Sequence, residues 1–72
     1  MNNMLLRNLL ILRNLAFEKE ADYIEAVKSS YDERNKKSRE YHKAMIEIKM
    51  KAWINAISLY FTMYRLVHHD LK

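Results

Sequence analysis

The groups best able to do chemistry in this chain are its three histidines and nine carboxylates, since it has no cysteine to act as nucleophile, redox centre or thiolate ligand. His68-His69-Asp70 is the densest run of metal-ligand types. Its spacing does not suit a helix, where adjacent residues point about 100° apart and a zinc pair places its histidines at i and i+4. His42 stands far from that run in sequence. With no glycine, the chain cannot build a Gly-rich loop around a phosphate. Catalysis needs a polar constellation held in a pocket, and these groups are scattered. The expectation is a protein that is not an enzyme and holds no metal or cofactor.

The basic side chains offer a different chemistry, phosphate recognition. A net charge of +4 conceals a block pattern. Residues 1–17 carry Arg7 and Arg13 and no acid. Residues 18–33 carry Glu18, Glu20, Asp22, Glu25, Asp32 and Glu33 against Lys19 and Lys28. Residues 34–51 carry Arg34, Lys36, Lys37, Arg39, Lys43, Lys49 and Lys51 against Glu40 and Glu47. If the chain folds back, the acidic block faces the basic one; if not, those bases form a surface for nucleic acid. A basic segment followed by a heptad-like apolar seam is the order found in dimeric basic-region proteins. Against that reading, Lys36–Glu40, Lys43–Glu47 and Glu47–Lys51 are opposite charges at i,i+4, which suits a solvated helix face. The Asn and Arg residues that read base edges do not gather on one face.

These groups must be positioned by helices. Average usage would give about 5 glycines and 3–4 prolines in a chain this long, and there are none of either. Their absence removes the usual turn formers and favours helix. At 50% hydrophobic and 31% charged, the composition is too apolar for a disordered chain. From Met4 the apolar spacing is helical, with Asn2 or Asn3 as a candidate cap. Leu6, Leu10, Phe17, Ala21 and Ile24 form one stripe, and Leu9, Leu12, Ala16, Tyr23 and Val27 lie beside it.

Ser30-Tyr31-Asp32-Glu33 reads as a capping box, which places a turn at 29–30 between a first helix of about 3–28 and a second of about 31–68. The rival break is Asn35-Lys36-Lys37-Ser38, the most polar stretch, and with no Gly or Pro to forbid it a single unbroken helix is the third alternative. In the second helix Tyr41, Met45, Ile48, Ala52, Ala56, Leu59, Met63 and Leu66 step by three or four as a helix–helix seam. Trp53, Ile57, Tyr60, Tyr64 and Val67 make a second stripe, with Ile54 and Phe61 between.

The run from Ala52 to Val67 is apolar or aromatic at twelve of sixteen positions, with Arg65 its one charge, so something must cover it. A turn at 29–30 pairs helices of roughly 39 and 57 Å and leaves Leu59 to Val67 projecting; a turn at 35–38 matches the arms. Either way, two helices cannot enclose one that is apolar all round. The expected fold is therefore all-α: one small domain, 1–72, a two-helix hairpin completed by dimerisation into a helical bundle.

Trp53, Ile57, Leu59, Tyr60, Phe61, Met63, Tyr64 and Val67 are the candidate self- or partner-interface, being rich in the types that dominate hot spots. The N-terminal apolar stretch is broken by Arg7 and Arg13 and has no cleavage site after it, and Ala52 to Tyr64 falls short of the ~20 residues a spanning helix needs. A cytoplasmic homodimer is expected, acting non-enzymatically on a protein target as regulator, inhibitor or adaptor. Compact chains of this composition occur among phage and mobile-element products. The alternatives are a basic dimeric nucleic-acid-associated protein, then a peripheral membrane protein with an interfacial helix.

Overall fold

The computed structural model describes residues 3–32, 34 and 36–70, with Asp70 described by its backbone alone. Two helices, α1 (Asn3–Ser30) and α2 (Arg39–Asp70), fold against each other as an antiparallel hairpin, and there is no strand among the described residues. At 28 and 32 residues they are nearly matched arms. The hairpin is slender, 52 × 15 × 13 Å. Its radius of gyration of 16.3 Å compares with about 11 Å for a compact domain of this length.

The helices do not break at 29–30. Ser30 belongs to the last turn of α1, where its Oγ donates to the Val27 carbonyl at 2.6 Å. A serine hydroxyl spent on the preceding turn cannot cap a following helix. The Tyr31 and Asp32 amides close that end by donating to the carbonyls of Lys28 and Ser29, at 3.1 and 3.2 Å. Ser38 is the cap instead. Its Oγ accepts from the Tyr41 amide at 3.1 Å, and its carbonyl accepts from the His42 amide at 3.1 Å, the first helical bond of α2. In the connection the Arg34 amide donates to Asp32 Oδ1 at 2.9 Å, an Asx turn that supplies the bend without glycine. Glu33, the acid of the expected capping box, lies outside the described residues, as do Met1, Asn2 and Asn35.

Moving the connection to 31–38 brings the arms into register, and with it the expected projecting end disappears. Ala56 and Val67 are the two buried residues among those described, 4% and 6% exposed. Val67, expected to project, is instead covered by the start of α1.

The seam also differs from the expected one. In α1 the half-buried residues include Leu5, Leu9, Leu12, Ala16, Lys19, Tyr23, Ala26 and Ser30, alternating steps of four and three. In α2 the matching series is His42, Ile46, Lys49, Trp53, Ala56, Tyr60, Met63 and Val67. These are antiparallel coiled-coil positions. The stripe of Leu6, Leu10, Phe17 and Ile24 turns outward, as do Tyr41, Ile48, Leu59 and Leu66 of the expected second-helix seam. The physical reason is that each helix carries two apolar stripes, and one hairpin contact can cover only one of them. The covered pair contains Ala16 and Ala56, whose small side chains let the backbones approach, and Tyr23 and Trp53, whose rings stack at 5.3 Å. Lys19 and Lys49 occupy seam positions and are half-buried, a place a lysine can take because its long stem is apolar.

Candidate interaction surface

A two-helix hairpin has two flanks, one on either side of its seam. On the first, Arg13, Ala16, Phe17 and Glu20 of α1 and Trp53, Ile57, Tyr60 and Phe61 of α2 line a shallow groove. Residues seven apart share a helix flank. Leu6, Leu10 and Ile24 therefore continue the α1 wall of this groove, and Ile54 and Tyr64 its α2 wall. Phe17 is 60% and Phe61 52% exposed. Arg13 lies across the apolar wall with its guanidinium 6.0 Å from the Phe17 ring centre. Along α2 the Tyr60 ring contacts Phe61 at 5.5 Å and Tyr64 at 6.2 Å, and Tyr64 stacks on His68 at 5.9 Å. We refer to this side as the aromatic flank.

The opposite flank is mixed. Near the connection Asp22, Glu25 and Ser29 face Tyr41, Met45 and Lys49 across a second concavity. By the same seven-residue spacing, Met4, Ile11 and Glu18 extend it on α1, and Ile48, Leu59 and Leu66 on α2. Here the α1 wall changes from apolar at Met4 and Ile11 to acidic at Glu18, Asp22 and Glu25, so the apolar positions of α2 face carboxylates along half its length.

The eight expected interface residues consequently divide three ways. Met63 and Val67 lie in the hairpin seam, while Trp53 and Tyr60 stand at seam positions and, with Ile57, also line the groove of the aromatic flank. Phe61 and Tyr64 are exposed on the aromatic flank, and Leu59 is exposed on the opposite one. Sequence reasoning placed these residues together because it read α2 alone. It left out Phe17, Leu10, Arg13 and Glu20, for which the Leu10–Phe17–Ile24 spacing of seven was the available signal.

The expected basic residues separate as well. Arg34, Lys36, Lys37, Arg39 and Lys43 are exposed around the connection, at one tip of the hairpin. Arg34 Nε is 3.4 Å from Asp32 Oδ1, and Lys37 Nζ lies 5.4 Å from the Tyr41 ring centre. Lys51 pairs with Glu47 at 3.4 Å, one of the expected i,i+4 contacts. Lys36 precedes the first turn of α2, so its spacing to Glu40 is not a helical one. Lys49 lies beside Asp22 and Glu25, which is where the acidic block meets the basic one. His42 is half-buried between the two flanks near the tip. Among the described residues no group of three His, Cys, Asp or Glu is placed to hold a metal ion, and no helix is long and apolar enough to cross a membrane.

No family model matches this sequence, and no curated protein or solved structure matches it either.

Proposed function

We propose that the protein is a non-enzymatic binding module that presents helical faces to other proteins, as a regulator, inhibitor or adaptor in the cytoplasm, and that a second copy of the chain completes its core as a helical bundle. The observation that carries this reading is the imbalance between exposed and buried apolar surface. Fourteen large hydrophobic residues are exposed among those described, while the buried ones are the two smaller residues Ala56 and Val67. Scattered surface leucines are ordinary, but continuous strips along both arms of a slender hairpin are what an interface offers. The groove on the aromatic flank is open and shallow and lined mostly by apolar and aromatic side chains, with Arg13 and Glu20 as its two charges, the mixture an interface offers rather than an enclosed substrate pocket.

The two flanks give the test. Phe61→Asp alters the aromatic flank and Leu59→Asp the opposite one, and both positions are exposed, so the helical circular dichroism should persist in each. Affinity capture at 500 mM salt should then retain a defined protein target with wild type and lose it with one of the two variants. Retention of that target by both variants would contradict helical-face recognition.

A second reading rests on the five exposed bases at the tip. Arg34, Lys36, Lys37, Arg39 and Lys43 supply a sequence-independent phosphate surface with Glu40 as the one acid among them in sequence. Steep loss of affinity with salt distinguishes it.

A further inference from the structure

We infer that the aromatic flank pairs with the same flank of a second copy, in an antiparallel arrangement with α1 over α1 and α2 over α2. The inference rests on the binding reading above and names its first partner, the surface used and the symmetry.

The amount of surface comes first. A compact monomer of 8.8 kDa exposes about 4,800 Å². This chain exposes 6110 Å². The excess is about 1,300 Å² per chain, so a dimer that removed it would bury about 2,600 Å² in total, within the range of obligate homodimers.

Charge selects the flank and the direction. A twofold axis perpendicular to the hairpin, at the level of Phe17 and Ile57, sets Phe17 against the partner's Phe17. Stepping outward, Leu10 meets the partner's Ile24, and Ile54 comes to the level of the partner's Tyr60 and the partner's Phe61. The two charges on the α1 wall of the groove, Arg13 and Glu20, lie four residues before and three residues after Phe17, so the axis brings each within about one residue of the level of the other in the partner copy. Each arginine therefore meets a glutamate of the other copy, twice over. Within one chain these two residues are seven apart and do not pair.

The same operation on the mixed flank brings Ile11 within one residue of the level of the partner's Asp22, an apolar group against a carboxylate. Parallel pairing on the aromatic flank would instead bring the two basic tips together, with Arg34, Lys36, Lys37, Arg39 and Lys43 of each copy side by side. Antiparallel pairing sends those tips to opposite ends. It leaves the mixed flank free for a different protein.

Light scattering and crosslinking test this on the full chain. Wild type should have the mass of two chains at 50 µM protein and 150 mM salt. Arg13→Glu should halve that mass, and the double exchange Arg13→Glu with Glu20→Arg should restore it. Because the protein has no cysteine, Phe17→Cys should form a symmetric disulfide on mild oxidation while Leu59→Cys should not. A wild-type mass of one chain overturns the inference, as does any mass above two. A two-chain mass indifferent to Arg13→Glu, or a disulfide at position 59 rather than 17, overturns the proposed face. Neither failure touches target capture through the Leu59 flank, so the binding reading is judged separately.

Discussion

Tyr23 and Trp53 stack across the hairpin with ring centres 5.3 Å apart and planes inclined by 18°. They sit at seam positions of both helices, and theirs is an aromatic stack that joins the two arms. The contact fixes which pair of stripes is covered and, with it, which pair is left outside. Trp53→Ala should cost about 2 kcal/mol of unfolding free energy, less than for a fully buried tryptophan because this one is only half-buried. A double-mutant cycle with Tyr23→Ala should give a coupling of about 1 kcal/mol. Urea denaturation at fixed protein concentration measures both. Because Trp53 is the chain's single tryptophan, its fluorescence reports directly on the seam.

Ser38 and Ser30 make a matched pair. Ser38→Ala removes the acceptor for the Tyr41 amide and should destabilise the protein by about 1 kcal/mol. Ser30→Ala removes only a hydroxyl bonded to its own helix, and alanine is the better helix former, so its effect should be near zero or slightly stabilising. Thermal melts of the two variants separate them. Equal destabilisation by both would place the start of α2 at the Ser30 capping box after all.

Ala56 is the most buried residue among those described, 4% exposed, at a seam position of α2. Ala56→Leu should therefore destabilise by about 1–3 kcal/mol through overpacking, even though leucine is apolar and a good helix former. The same substitution at Ala44, exposed on α2, should be neutral within about 0.5 kcal/mol. Chemical denaturation of the two variants makes the comparison.

The helical class and the hairpin were legible in the sequence, because the absence of Gly and Pro and the 3–4 spacing of apolar residues both act locally. The turn was less so. Ser30 and Ser38 each begin a plausible cap, and choosing between them requires knowing that 31–38 lets arms of 28 and 32 residues match. The seam was least legible. Leu10 and Leu9, or Leu59 and Tyr60, are neighbours with similar hydrophobicity on adjacent stripes. What decides between them is pairing: Ala16 and Ala56 permit close approach and Tyr23 meets Trp53, and neither fact belongs to one helix alone. Arg13 and Glu20 drew no notice as a pair for the same reason, since their placement on either side of Phe17 has meaning only once an outward face exists.

The basic tip supports one more prediction, which weighs the second reading against the first. Arg34, Lys36, Lys37, Arg39 and Lys43 are exposed at one end of a body 52 Å long, and Arg34 is already engaged by Asp32. At most four or five phosphates could then be neutralised per tip, so the logarithm of duplex affinity should fall against the logarithm of salt with a slope no steeper than about −4. That dependence leaves weak binding at 150 mM salt. Charge reversal with Lys36→Glu and Lys43→Glu should abolish it without changing the solution mass, because the tips lie away from the aromatic flank. Fluorescence anisotropy on a labelled duplex across a salt series gives the slope. A markedly steeper slope would require bases from beyond a single tip. Affinity persisting through the charge reversal would move nucleic-acid contact away from the tip altogether, and the helical-face reading would have to account for it.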